Sequence, residues 1–206
     1  MWNLHLQTPQ MIELIYPYDQ VVPTLPSPTA RDVNNPPVGV EFFPVVEPNG
    51  LVLARSRREY CHSGSKLLHP VVHIHIIDRY SRIYLQNRSM SKDIQPGKWD
   101  TAVGGHVRYG ETLMDALYRE ASEELSLTEF NPIYLKSYVF ESEIEKELVN
   151  VFAVVGSYAL QPDMDEVDEG RWWPVEEVDA TLGKGIFTPN FEQEYRQMRT
   201  SLLSLL

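Results

Sequence analysis

A glycine at 105, a glutamate at 111 and the run Arg119-Glu120-Ala121-Ser122-Glu123-Glu124-Leu125-Ser126-Leu127 constrain this chain more than any other stretch. Leu113, Ala116, Leu117 and Ala121 recur at helical spacing with no proline between them, so a helix is predicted over Thr112 to Leu125, behind a Gly104-Gly105 turn. At roughly 100° per residue, Glu120 and Glu124 fall on the arc of Leu113 and Leu117, with Glu123 at its edge. The exposed back is left to Asp115, Tyr118, Arg119 and Ser122. An ordinary surface helix sets its charges opposite its apolar stripe, whereas this one turns carboxylates toward the protein. Glu120 and Glu124 are like charges one turn apart, which costs a few tenths of a kcal/mol, on the order of 0.3. Burying charge costs more. A divalent cation would offset both terms. The competing reading is a solvated acidic helix, and the phase of the acids argues against it.

The same residues resemble the box of the Nudix family, G-x5-E-x7-R-E-U-x-E-E-x-G-U, where U is a bulky aliphatic residue. Seven of the nine specified positions match, with Ala121 at a U position and Ser126 at the last glycine. The resemblance implies an α/β fold, the Nudix α/β/α sandwich with a mixed β-sheet, here carrying an N-terminal β-hairpin extension. It also implies a hydrolase cleaving a diphosphate linkage in a nucleoside diphosphate derivative or similar small organic diphosphate. Mg²⁺ or Mn²⁺ would be held by Glu120, Glu123 and Glu124, helped by a backbone carbonyl of Gly104 or Gly105. Glu123 and Glu124 are then also candidate catalytic residues, Arg119 would orient the carboxylates, and Glu111 would be a structural partner. The run Asp165 to Trp172 resembles an acidic loop from which some members draw a catalytic base, which makes Glu166 the first candidate and Glu169 the second. A solvated acidic loop is the alternative there.

A second resemblance surrounds the first. Arg88-Ser89-Met90-Ser91-Lys92, Pro96-Gly97-Lys98-Trp99 and Gly105-His106 are similar to isopentenyl-diphosphate isomerases, a branch of the same fold. It implies that Arg88 and Lys92 contact a substrate diphosphate, a task that suits a bidentate guanidinium and a mobile ammonium. His62, His69 and His106, with Glu145 and Glu147 in an E-x-E step, match the histidines and glutamates by which those enzymes bind a metal. Such a mixed donor set suits Mn²⁺ or Zn²⁺ better than Mg²⁺ alone. The isomerases place a catalytic cysteine two residues before the histidine of the turn. Gly104 stands there and cannot deliver a proton, so hydrolysis is the reading preferred over isomerisation or a non-catalytic nucleotide-binding module. His73 and His75 alternate within a predicted strand and receive no role.

Composition narrows the partners. A net charge of −11 leaves no basic stripe for a nucleic-acid polymer, while a small phosphorylated ligand is compatible. One cysteine, Cys61, fits a reducing compartment. With no apolar run of membrane-spanning length and no leader pattern, a cytoplasmic location without membrane association is expected. Nine of the fifteen prolines fall within the first 48 residues, so residues 1–40 are expected to be an extended or partly disordered arm. Residues 41–206 are expected to form the Nudix domain. Strands are predicted at Phe42–Val46 and Leu51–Ala54 (a hairpin around Pro48-Asn49-Gly50), His69–Ile77, Arg82–Asn87, Trp99–Val103, Ile133–Phe140, Glu147–Val155 and Arg171–Trp173. Helices are predicted over Pro174–Leu182 and Asn190–Leu206. A homodimer through the arm or the hairpin is compatible with this layout.

Overall fold

The computed structural model describes residues 12–14, 39–91, 94–163 and 167–206. Most of the proline-rich arm, Lys92 and Glu166 lie outside the described residues. Two compact units divide the chain. One takes Met1–Pro70, His106–Glu111 and Val139–Leu148; the other takes Val71–Gly105, Thr112–Tyr138 and Val149–Leu206.

The first unit contains a three-stranded antiparallel sheet in the order β1-β3-β2, with β1 at Ile12–Leu14, β2 at Phe42–Val46 and β3 at Val52–Arg57. The expected hairpin is therefore present, and a short strand from the arm adds a third member. The turn between β2 and β3 needs Gly50, whose φ of 85° suits a residue without a Cβ; its N–H donates to the Glu47 carbonyl at 2.8 Å. A one-turn helix, α1 at Arg58–Cys61, follows β3. Phe43, Cys61, Val46, Leu68 and Leu148 are buried.

The larger sheet is mixed and has seven strands. Its path runs β10 (Val167–Pro174), β5 (Arg82–Arg88), β4 (Leu68–Ile77), β9 (Lys146–Val155), β8 (Ile133–Glu141), with β6 (Trp99–Asp100) paired to β5 and β7 (Val103–His106) paired to β4. All ten residues of β4 are buried, as a central strand rich in Val and Ile requires. The helices of the second unit are α2 (Leu113–Leu125), α3 (Val175–Thr181) and α4 (Pro189–Leu203). Together they give an α/β/α sandwich. Thr112 starts α2 through a reciprocal capping box with Asp115. Thr188 caps α4 with Pro189 in its first turn, where a missing N–H costs nothing. On α4, Phe191, Tyr195, Met198 and Leu202 form the buried face.

Two elements differ from expectation. Trp99–Val103 is not one strand: it breaks at Thr101-Ala102, where the Thr101 hydroxyl turns inward to donate to the Ile74 carbonyl at 2.9 Å. The late tryptophan strand is longer than predicted, and β10 accommodates its acidic start through a register shift between Val167 and Glu169.

Candidate active site

Gly104 and Gly105, expected as a turn, lie in strand β7; they and helix α2, which carries Glu120, Glu123 and Glu124, belong to the second unit. Helix α2 buries Ala116, Leu117, Ala121 and Leu125 and carries Glu124 on the same face. Glu124 is 5% exposed, and its Oε2 accepts a hydrogen bond from Gln86 Nε2 on β5 at 2.8 Å. Glu120 packs against Gly105: a Cβ built there would lie 2.0 Å from the Glu120 carboxyl carbon. The absent side chain of Gly105 is thus the space the carboxylate fills. Arg119 Nη1 donates to Glu120 Oε1 at 2.7 Å and to Glu123 Oε2 at 3.1 Å. Glu123 is half exposed. Asp115, Tyr118 and Ser122 face outward as the phase of the helix requires, but Arg119, expected on the same exposed back, has a side chain only 15% exposed, and Leu113 is exposed at the first turn. In the first unit, Glu111 Oε2 accepts from the Arg108 backbone N–H at 2.9 Å.

A second constellation lies within the first unit. His62 and His106 bring their Nε2 atoms to 3.0 Å. One donor atom from each of His62, His69 and His106 lies within 4.8 Å of the others, and the same holds for His106, Glu145 and Glu147. His62 Nε2 stands 3.6 Å from Glu145 Oε2, and His106 Nε2 stands 3.8 Å from Glu147 Oε1. The Phe43 ring stacks on His106 at 4.4 Å between centroids. His69 Nδ1 bonds the Leu67 carbonyl at 2.9 Å. Its buried Nε2 has no hydrogen-bond partner among the described residues, an orphan that a ligand would satisfy. Burial, reinforced by Arg58, lowers the pKa of His62 to about 4. Burial likewise lowers that of His69. Both rings are therefore neutral near pH 7 and offer lone pairs, the protonation state that metal binding needs. The donor set fits a divalent cation.

Arg88, expected to meet a diphosphate, is tied locally: its Nε donates to the Ile94 carbonyl at 3.1 Å and its Nη1 lies 3.4 Å from Asp100 Oδ2. Its expected companion, Lys92, and the candidate base Glu166 are outside the described residues. Glu169 is exposed on β10. The sequence reading missed Gln86, which sits in an ordinary strand pattern and whose pairing with Glu124 spans 38 positions. It also passed over His73, which meets Glu194 across 121 positions.

Comparison with known proteins agrees with this picture. An uncharacterized Nudix hydrolase of Yersinia pestis is 34% identical over 76% of this chain and 84% of its own. An isopentenyl-diphosphate Delta-isomerase of Clavibacter sepedonicus is 26% identical over 69% of this chain and 78% of its own. The crystal structure of DR0079 from Deinococcus radiodurans superposes with a TM-score of 0.67 at 22% identity, covering 76% of this chain and 98% of that one. The family model and the relatives together make this a hydrolase of phosphorus anhydride bonds. Residues 67–191 match the family model of the NUDIX domain, more than half of the sequence, and the chain belongs to the Nudix family. Nudix enzymes generally use divalent metals. Among the described residues no helix is long and apolar enough to cross a membrane.

Proposed function

We propose that this chain is a metal-dependent diphosphatase, acting on a nucleoside diphosphate linked to another group or on a related small organic diphosphate. The observation that carries the reading is the Glu120 carboxylate seated in the space left by Gly105, one helical turn from the buried Glu124. Glu120, Glu123 and Glu124 would hold Mg²⁺ or Mn²⁺, with a carbonyl of Gly104 or Gly105. A bound divalent cation supplies Lewis acidity toward the phosphoryl oxygens and the attacking water. Arg119 spans Glu120 and Glu123 and keeps two like charges at one helix face. Gln86 helps fix the rotamer of Glu124 by donating to one of its oxygens at 2.8 Å. Glu123, Glu124 or Glu166 takes the proton released by the attacking water. We assign the activity to the cytoplasm, a location supported by the single cysteine.

The test is hydrolysis of a panel of nucleoside diphosphate derivatives and small organic diphosphates with Mg²⁺ or Mn²⁺, comparing wild type with Glu123→Gln and Glu124→Gln. Turnover that survives both substitutions removes the assigned roles.

The isomerase reading has one specific observation in its favour, the gathered donors of His62, His69, His106, Glu145 and Glu147. We infer that these residues hold a second divalent cation. Gly104 counts against proton delivery to a double bond. Deuterium from solvent entering isopentenyl diphosphate would restore this reading; its absence dismisses it.

A further inference from the structure

We propose that Asp100 is a positioning residue that holds the Arg88 guanidinium on the box side of the sheet, where Arg88 receives the phosphoryl group farther from the metal. The inference deepens the hydrolase reading above and rests on it. Alternation along β5 puts Arg82, Tyr84, Gln86 and Arg88 on one face of the strand. Gln86 identifies that face, because its Nε2 reaches Glu124 Oε2 on α2 at 2.8 Å. Asp100 is the partner of Gln86 in the antiparallel pairing of β5 with β6, and residues directly opposite each other send their side chains to the same side. Arg88 and Asp100 therefore both stand on the α2 side, next to the residue that holds Glu124, and all of them belong to the second unit. Their own contact agrees with this placement: Arg88 Nη1 lies 3.4 Å from Asp100 Oδ2. Two residues separate Arg88 from Gln86, roughly 6.6 Å along the strand.

Two arginines share this face of β5 and are held in opposite ways. Arg82 closes on the buried Asp78, with Nε at 2.8 Å and Nη2 at 2.6 Å from Oδ2. The other oxygen of Asp78 accepts the backbone N–H groups of Tyr80 and Arg82, so that pair fixes a turn. Arg88 gives Nε to the Ile94 carbonyl at 3.1 Å but reaches Asp100 only at 3.4 Å, well beyond the roughly 2.8 Å of a closed charge-assisted bond. Its side chain is 25% exposed, and a guanidinium carries more N–H donors than these two contacts use. Arg88 is thus aimed without being saturated. Asp100 is itself fixed, because its Oδ1 accepts the Thr101 backbone N–H at 2.8 Å, which directs Oδ2 toward Arg88. Arg119, by contrast, is occupied by Glu120 and Glu123. A metal at the box acids takes one phosphoryl group, and the other carries charge that a planar fork of N–H donors suits. Asp100 alone would repel that anion, so its carboxylate serves the site only through Arg88.

The test is calorimetric titration of inorganic diphosphate with Mg²⁺ into wild type, Arg88→Ala, Asp100→Asn and the double variant. Thermal melting checks folding, and turnover of the diphosphate panel is measured beside it. Arg88→Ala should weaken diphosphate binding by about 30-fold and raise KM to match, with kcat changed less than about threefold. Asp100→Asn keeps the size of the side chain and an oxygen for Thr101 but loses the charge, and should weaken binding by about fivefold. In the double variant the loss should equal that of Arg88→Ala alone, because without the guanidinium Asp100 has nothing to position. If Asp100→Asn or Arg88→Ala does not fold, Asp100→Ser or Arg88→Lys is read in its place, with a loss in the same direction. Folded Asp100 variants that bind diphosphate as wild type does overturn the assignment. So does a double variant whose loss is the product of the two single losses, the result of a carboxylate that only supports the pairing of β5 with β6. A wild type that cleaves no member of the panel yet keeps this order of affinities overturns the hydrolase reading and supports the binding assignment. Absence of both turnover and diphosphate binding overturns the two together.

Discussion

The acids of α2 and the histidines of the first unit are both donor sets, yet they solve opposite electrostatic problems. On α2 the donors are charged, and the surroundings neutralise them: Arg119 reaches Glu120 and Glu123, and Gln86 takes one oxygen of Glu124. Exposure grades along the helix from Glu124 at 5% to the Glu123 side chain at 50%. Around His62, His69 and His106 the donors are imidazoles, His69 and His106 stacked on each other and on Phe43 and His62 tilted against them, with negative charge beside them from Glu145 and Glu147, each 7% exposed, and positive charge from Arg58. Oxygen donors open to water suit a hydrated Mg²⁺ that exchanges with substrate. Imidazoles in a largely buried cluster suit a cation that stays. On the function proposed above, turnover belongs to the helix and retention to the histidines, and that division can be broken from either side.

The largest effect is expected at Glu124. Glu124→Gln keeps the shape and the Gln86 contact but removes the buried charge, so kcat should fall by about 10³-fold in the diphosphate assay. Unchanged turnover would detach catalysis from the helix. Next comes Gly105→Ala. Its Cβ would enter the Glu120 carboxyl, with Oε1 at 2.3 Å, and a displacement of about 1 Å at a reacting site costs about 10²-fold in rate. The clash is with the far end of a flexible side chain, so the melting temperature should move little. Third is metal retention. Mn²⁺ or Zn²⁺ at about 100 times its Kd should stabilise the protein by about 2.7 kcal/mol, seen by calorimetry as a rise of roughly 5–10 °C. His69→Ala should remove most of that rise and Glu124→Gln should keep it. The reverse pattern would exchange the roles of the two sites.

These sites were legible in the sequence to different degrees, for physical reasons. Local periodicity carries the helix: the phase that turned Glu120 and Glu124 inward needs only thirteen residues, and α2 runs Leu113–Leu125 with Thr112 as its cap. The histidine set came from spacing in a resemblance, and within the first unit the structure brings its donors into two groups of three that share His106. What pattern could not reach are pairings that only the tertiary fold creates. Gln86 reads as a strand residue until β5 meets Glu124. His73 and His75 read as packing in a buried strand until α4 sets Glu194 against them. A fully buried glutamate among Phe191, Tyr195 and Met198 breaks the helical pattern of α4, and that break was the one available signal. The division of Trp99–Val103 depends on a hydroxyl reaching a carbonyl 27 positions away, which no local propensity reports.

The smallest predicted effect concerns the one departure from the box that has a backbone cause. At the position where the pattern specifies glycine, Ser126 ends α2 with φ 52° and ψ 28°. The turn closes through Ser126 N–H to the Ser122 carbonyl at 3.1 Å and Leu127 N–H to the Ala121 carbonyl at 3.0 Å, so the left-handed conformation is imposed by the helix end. A residue with a Cβ carries a penalty of about 1 kcal/mol there, and glycine removes it at some cost in unfolded-chain entropy. Ser126→Gly should therefore stabilise by about 0.5 kcal/mol and raise the melting temperature by roughly 1–2 °C. Ser126→Ala, which keeps the Cβ, should give no gain. Because the change touches the helix end and none of the acids, kcat should stay at the wild-type value. A stability gain accompanied by altered turnover would mean that the end of α2 moves during catalysis, and the division between a working helix and a retaining histidine pocket would have to include that motion.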